Sequence, residues 1–200
     1  MKWLIASDIH GSAHWCGRLL ELYEREKADA LVLLGDILYH GPRNDLPEGY
    51  APKQVAAMLN VFCKDHRVLC VRGNCDAEVD QMVLDFPILA DYAVVVLGGR
   101  TAYLTHGHVY GEDNPPRLKA GDVLIQGHTH IQRHVEKDGV LFLNPGSVSI
   151  PKGDGYHGCI VFDDADDQGK VCGDGIGLKS HAGLFRFVDL DGCVRDCVEA

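Results

Sequence analysis

The chain has 200 residues, of which 46% are hydrophobic, and carries a formal net charge of -10 at neutral pH. This length and composition predict one globular domain with a substantial core. The acidic balance argues against nucleic acid as a partner, and no apolar run reaches the ~18 residues that a membrane span needs. The apolar run at residues 3–6 is too short for a signal peptide, and none of the eight cysteines forms a C-x-x-C pair. We therefore expect a cytoplasmic protein with reduced thiols.

Short apolar runs that end in polar residues or glycine predict a series of buried strands. They lie at residues 2–7, 30–36, 67–74, 92–97, 101–107, 122–128 and 140–144. Apolar residues at helical spacing predict helices at 13–28 and 53–64, between the first three strands. This order predicts parallel βαβ units over residues 1–75, whereas the later strands follow one another closely and are expected to be more antiparallel.

The C-terminal part has a different composition. Residues 153–183 are rich in glycine and aspartate and predict one strand followed by a long exposed loop. Residues 184–192 and 193–199 predict a closing hairpin around the turn DLDG. We interpret residues 1–200 as a single α/β domain in which residues 154–183 are a loop insertion.

Side chains of a few polar types follow five of the predicted strands. They are Asp8 and His10, then Asp36, then Asn74, Cys75 and Asp76, then His106 and His108, and finally His128 and His130. Taken singly, each is explained equally well as a helix cap, a turn residue or a core histidine. Because open α/β sheets bind ligands outside the carboxyl ends of their strands, the coincidence at five strand ends favours one shared site. Mixed oxygen and imidazole ligands suit manganese, iron or zinc, and seven ligands are too many for one zinc ion.

The order D-x-H, GD, GN, H and GHxH resembles the calcineurin-like metallophosphoesterases. The stretches HGPRNDLPEGYAPKQVA, RGNCDAEVDQM, THGH and NPGSVSIPKG resemble the YfcE-type bacterial phosphodiesterases in particular. The resemblance covers about residues 1–155. It implies an αββα sandwich of mixed sheets with the helices outside.

The resemblance also implies a function and a ligand for each ion. Two divalent ions would form a dinuclear centre, with manganese placed first and zinc, iron, nickel or magnesium as alternatives. A hydroxide that bridges the ions would attack a small-molecule phosphodiester. The implied ligands are Asp8, His10 and His130 for the first ion, Asn74, His106 and His128 for the second, and Asp36 for both. Asp36 and Asn74 are accordingly placed among the catalytic residues.

Cys75 stands where many members of this superfamily have a histidine that assists the leaving group. A thiol is a poor proton donor to an alkoxide, so we expect slow turnover of poor leaving groups. Cys75 is explained equally well as a small residue that fills space near the site. Arg43 is expected either to pair with a substrate phosphate or to lie in a solvated loop. His108 and Asp76 are expected to support the ligands, Asp76 being equally consistent with a simple turn residue. The turn at 144–147 is expected to pack under the GHTH loop.

Three alternatives stay open at this point. The same centre would serve a phosphomonoesterase, and a retromer subunit uses this fold as a non-catalytic scaffold. A nuclease is disfavoured by the acidic charge and by the absence of that branch's additional domains. The sequence is compatible with a homo-oligomer.

Overall fold

The computed structural model describes residues 1–164 and 183–200, which contain two sheets and three helices. The helices are α1 (Ala13–Glu26), α2 (Pro52–Asp65) and α3 (Glu78–Gln81). The strands are β1 (Lys2–Ala6), β2 (Ala30–Leu33), β3 (Arg67–Cys70), β4 (Tyr92–Leu97), β5 (Arg100–Thr105), β6 (Val123–Ile125), β7 (Gln132–Lys137), β8 (Val140–Pro145), β9 (Gly158–Asp163), β10 (Leu184–Asp189) and β11 (Val194–Glu199).

The first sheet has the strand order β11-β10-β9-β1-β2-β3. β1, β2 and β3 run parallel, which confirms the predicted βαβ units. α1 starts where the Ser12 hydroxyl accepts a hydrogen bond from the backbone N–H of Trp15, 3.1 Å away, and ends at Lys27 in a left-handed conformation. On the other side of β1, β9, β10 and β11 are antiparallel, and β10 and β11 form the predicted hairpin.

The second sheet has the order β4-β5-β6-β8-β7. β4 with β5 and β7 with β8 are antiparallel, in agreement with the more antiparallel second half that was expected, whereas β6 runs parallel to both β5 and β8. The loop from residue 106 to residue 122 returns the chain across the sheet without a helix. The sequence did not predict β7 because this edge strand, QRHVEK, is mostly exposed and lacks an apolar pattern.

Apolar side chains fill two main layers. One layer packs α1 and α2 against the first sheet and includes Leu19, Leu59 and Leu31. The other fills the space between the sheets and includes Ile5 and Leu104. The result is an α/β sandwich of two mixed sheets with these helices outside, as expected.

Further predictions concerned the C-terminal part of the chain, the number of domains and the cysteines. The strand predicted after residue 153 is β9, whereas residues 165–182 of the expected insertion lie outside the described residues. The single-domain assignment stays a prediction. Among the described cysteines six are free thiols, but Cys197 is disulfide-bonded, so the expectation of reduced thiols is wrong at that residue. None of the described helices has the length and apolarity required to cross a bilayer.

Candidate metal centre

The carboxyl ends of β1, β2 and β6 turn sharply at the residues predicted as ligands. Five of these residues have left-handed backbone conformations, with φ between 49° and 68°: Asp8, His10, Asp36, His128 and His130. Few non-glycine residues adopt this region, although aspartate and histidine tolerate it better than most. Such conformations concentrate at functional sites, where the surrounding structure enforces them. The turns bring the side chains from separate strands to one point.

Two glycines allow the loops to approach each other. A side chain at Gly73 would overlap the carboxylate of Asp36, and one at Gly127 would overlap Ser7 and lie 2.8 Å from Oδ2 of Asp8. Only hydrogen is small enough at these two positions. The glycines beside the predicted ligands are therefore required by close packing of the loops.

The first group of side chains consists of Asp8, His10 and His130. Oδ1 of Asp8 lies 3.4 Å from Nε2 of His10 and 3.2 Å from Nε2 of His130, and the two nitrogens are 3.1 Å apart. All three residues are buried. These three atoms are close enough together to bind one cation.

The second group is centred on His106. Its Nε2 lies 3.4 Å from Oδ2 of Asp36, 3.2 Å from Oδ1 of Asn74 and 3.2 Å from Nδ1 of His128. The same oxygen of Asp36 lies 3.7 Å from Nε2 of His10, a member of the first group. Asp36 thus stands between the two groups, and the structure brings together all seven residues predicted as ligands.

Hydrogen bonds to the backbone orient the imidazoles. In three of them Nδ1 lies within hydrogen-bonding distance of a carbonyl oxygen, and an Nδ1–H donor leaves Nε2 unprotonated and facing the centre. The pairs are His10 with Tyr39 (2.8 Å), His106 with Leu34 (2.6 Å) and His130 with Ile150 (2.8 Å).

The carboxylates are oriented in the same way. The backbone N–H of His128 donates to Oδ2 of Asp8 over 3.0 Å, and that of Cys75 donates to Oδ1 of Asp36 over 2.8 Å. Oδ1 of Asp8, which faces His10 and His130, is fully buried and accepts no hydrogen bond. A buried carboxylate oxygen without a donor is costly unless a cation binds it, so the residues present fit a metal ion.

The electrostatics of the centre also favour a cation. Burial opposes ionisation of Asp8, but the close approach of His10 and the nearby charges of His106 and His130 hold its pKa well below the ordinary range. Burial likewise opposes protonation of His106, yet Asp36 and Asp8 raise its pKa to about 9. The carboxylates thus hold protons on the neighbouring imidazole, and a divalent cation would replace those protons.

Side chains beneath the ligand loops hold them in place. Nδ2 of Asn144 donates to the carbonyl of Gly127 (2.8 Å) and to Oγ1 of Thr129 (3.0 Å), so the turn at 144–147 packs under the GHTH loop as predicted. The hydroxyls of Ser147 and Ser149 both donate to the carbonyl of Asp8, over 2.8 and 3.1 Å. Sequence reasoning included Ser147 only as part of this turn and missed Ser149, because a single serine carries no specific signal.

Comparison with known proteins identifies the family. The family profile described as the calcineurin-like phosphoesterase superfamily domain matches residues 1–167. The phosphodiesterase YfcE of Escherichia coli strain K12 is 54% identical over 153 residues, which are 76% of this chain and 82% of that protein. The chain belongs to the calcineurin-like phosphoesterase superfamily.

Solved structures agree with this assignment. The structure of the Escherichia coli phosphoesterase YfcE matches with a TM-score of 0.85 at 42% identity and covers 99% of this chain and 98% of that one. Vacuolar protein sorting 29 from Cryptosporidium parvum matches with a TM-score of 0.60 at 20% identity, over 100% of this chain and 96% of that one. The second match shows only that the fold is shared.

The residue that departs from the common superfamily pattern, Cys75, lies at the centre. Its Sγ is within 4.8 Å of ligand atoms of His10 and Asp36. Burial and the charge of Asp36 raise the pKa of the thiol to about 12. A thiol with a raised pKa gives up its proton less readily, which agrees with the expectation that Cys75 is a weak proton donor.

Two further predicted residues lie outside the ligand groups. His108 is exposed, and its ring packs edge-on against that of His106 with the centroids 5.3 Å apart, so it contacts the ligand that it was expected to support. Arg43 is exposed in the loop between β2 and α2 and makes no hydrogen bond or ion pair with any described residue. Its contact with a substrate phosphate stays a prediction.

Proposed function

We propose that this chain is a metal-dependent phosphodiesterase that uses two divalent ions to hydrolyse a small-molecule phosphodiester. The observation that carries the proposal is the position of Asp36, whose Oδ2 lies 3.7 Å from His10 in one group and 3.4 Å from His106 in the other. A carboxylate between two sets of nitrogen and oxygen ligands suits a pair of ions that share it. The high identity to a relative named a phosphodiesterase supports the reaction class.

In this proposal each ligand group holds one ion. Asp8, His10 and His130 would hold the first, Asn74, His106 and His128 would hold the second, and Asp36 would serve both. The donor set suits manganese, iron or zinc, and we place manganese first. When bound, the ions lower the pKa of a coordinated water and neutralise charge on the phosphoryl oxygens.

The protein groups then position the reactants. The buried backbone carbonyls fix the imidazole rings, and the Cys75 N–H fixes Asp36, so the ligands need little rearrangement when the ions bind. Arg43 supplies a guanidinium that pairs with a phosphate oxygen of the substrate. Because the Cys75 thiol is a poor acid, good leaving groups such as aryl oxides are hydrolysed fastest. A cytoplasmic location and a homo-oligomer stay predictions from the sequence.

The proposal is tested by hydrolysis of bis-p-nitrophenyl phosphate and p-nitrophenyl phosphate. The protein is stripped of metal, supplied with manganese, zinc or magnesium, and compared with Asp36→Ala. Asp29→Ala is the control, since Asp29 is an exposed aspartate that directly precedes β2, at the end of the strand opposite to Asp36. We expect metal-dependent cleavage of the diester that is lost only in Asp36→Ala.

The alternatives give different results in the same assay. Preference for the monoester would identify a phosphatase with the same centre. Bound metal without hydrolysis of either ester would favour the scaffold. Full activity of Asp36→Ala would contradict the shared-ligand arrangement.

A further inference from the structure

We propose that Asp76 is a positioning residue of the metal centre, whose carboxylate joins the Asp36 loop to the Asn74 loop. The hydrogen bonds to this carboxylate set the positions from which Asp36 and Asn74 bind the same ion. This inference rests on the proposed two-metal function and goes beyond it, because Asp76 is not one of the seven ligands.

The carboxylate of Asp76 accepts three backbone hydrogen bonds. Oδ2 accepts one from Asp36 N–H over 2.8 Å and one from Gly73 N–H over 2.7 Å. Oδ1 accepts one from Ile37 N–H over 2.9 Å. Asp76 is only 8% exposed, so these charge-assisted bonds form away from water and hold their geometry firmly.

A single oxygen therefore links the loops that follow β2 and β3. Asp36 supplies the carboxylate between the two ligand groups, and Gly73 directly precedes Asn74. The loop after β1 is connected to the same hydrogen bonds, because the backbone N–H of His10 donates to the carbonyl of Asp36 over 2.9 Å. Asn74 itself is exposed, so its position depends on the turn that Asp76 closes.

An amide at position 76 would not satisfy this arrangement. Three N–H donors converge on the two carboxylate oxygens, whereas an asparagine side chain offers one acceptor oxygen and one NH₂ group. In Asp76→Asn, which preserves the volume, at least one buried backbone N–H faces another donor or loses its partner. The loops then move apart until water or another acceptor reaches that N–H, and Asp36 and Asn74 move with them.

A residue that merely ends the turn would behave differently. Its replacement would lower the stability of the fold without a specific effect on metal binding. The two roles are separated by comparison with a second buried aspartate, Asp189, which is 5% exposed. Its carboxylate accepts hydrogen bonds from the backbone N–H of Cys193 over 2.8 Å and from Nε of Arg195 over 2.7 Å, and neither residue belongs to a ligand loop. Asp189→Asn is therefore the matched control.

The experiment measures Mn²⁺ binding to the metal-stripped full-length protein, to Asp76→Asn and to Asp189→Asn. Titration calorimetry gives the affinities, electron paramagnetic resonance distinguishes a coupled manganese pair from single ions, and thermal unfolding of the metal-free proteins gives their stabilities. We expect Asp76→Asn to bind Mn²⁺ about 10- to 100-fold more weakly, as is typical when a partner of a metal ligand is removed. The signal of the coupled pair is lost at Mn²⁺ concentrations that saturate the unmutated protein, and Asp189→Asn keeps both properties.

The outcomes separate this inference from the proposed function. Two ions bound by the unmutated protein, with unchanged affinity and an unchanged pair signal in Asp76→Asn, would overturn the positioning role alone. The same is true of equal losses of affinity in both variants, because these would follow from lowered stability. An unmutated protein that binds no Mn²⁺ would overturn the two-metal proposal and this inference together.

Discussion

Replacing Gly73 by alanine tests how closely the loop after β3 must approach Asp36. The backbone of Gly73 is not in the left-handed region, so an added methyl group is resisted by lack of space and not by its φ angle. The new Cβ would lie 2.9 Å from Cγ of Asp36 and still closer to its Oδ1. Carbon atoms in contact prefer a separation of about 3.5 Å or more, and the overlap with Oδ1 and with the backbone nitrogen of Asp36 is greater still, so Asp36 must move by at least roughly 0.6 Å.

This displacement determines the expected size of the effect. Because a misplacement of ~1 Å at a catalytic site costs on the order of 100-fold in rate, Gly73→Ala is expected to lower kcat for bis-p-nitrophenyl phosphate by about 10- to 100-fold. The overpacking should lower the free energy of unfolding by about 1–3 kcal/mol, which thermal unfolding will measure. The assay is run with saturating Mn²⁺ at a temperature at which the variant is folded.

Gly17→Ala is the control for this substitution. Gly17 lies inside α1, and the added Cβ would meet only the Cε atom of Met58, at an ordinary 3.5 Å. Alanine is the better helix former, so this variant should gain up to about 1 kcal/mol in stability and keep its rate. A Gly73→Ala rate within about threefold of the unmutated protein would refute the argument that this close approach holds Asp36 in its working position.

Three further predictions concern substrate binding, the leaving group and pH. Arg43→Ala should raise KM for the diester about tenfold with little change in thermal stability, whereas an unchanged KM would remove Arg43 from the site. Cys75→His should raise kcat for the diester by at least about tenfold, and an unchanged or lower kcat would count against the weak-acid explanation. Burial opposes ionisation of Glu26, but Arg186 and Lys2 hold its pKa below the ordinary value. Glu26→Gln should therefore lower the free energy of unfolding by about 1–3 kcal/mol near neutral pH. Thermal unfolding at a series of pH values should show this difference disappearing as the pH falls below about 4 and through the pKa of Glu26 in the folded protein. A difference that stays constant with pH would contradict the prediction.

The closeness of the seven residues predicted as ligands follows in part from a simple rule of chain geometry. Asp8, Asp36 and His128 each follow a buried strand whose apolar run is visible in the sequence, with a glycine at the turn. Within each sheet, parallel strands deliver their carboxyl ends to one edge, which brings Asp8 and Asp36 together. His128 lies in the other sheet, so its approach to them depends on how the two sheets pack and does not follow from this rule. The turn at 144–147 was predicted in a different way, from its resemblance to a known sequence pattern.

Other features depend on contacts that leave no local trace in the sequence. The carbonyl oxygens that orient the imidazoles belong to the backbone of residues such as Tyr39 and Leu34, whose side-chain identities do not matter for the bond. The polar edge strand β7 is stabilised by its register with β8, in which Val135 pairs with Phe142, and not by a pattern of its own. The role of Asp76 was open for the same reason, since only the folded loops show which three N–H groups its carboxylate meets.

The ligand residues also explain how the centre tolerates its backbone geometry. Left-handed conformations of non-glycine residues cost of order 1–3 kcal/mol each, and Asp8, His10 and Asp36 all adopt them. The backbone N–H of each of the three donates to a neighbouring loop: that of Asp8 to the Gly35 carbonyl over 3.1 Å, that of His10 to the Asp36 carbonyl over 2.9 Å, and that of Asp36 to the Asp76 carboxylate over 2.8 Å. These hydrogen bonds offset the strain before any ion arrives. Oδ1 of Asp8 is still left buried without a donor, and a cation bound between Asp8, His10 and His130 would satisfy it.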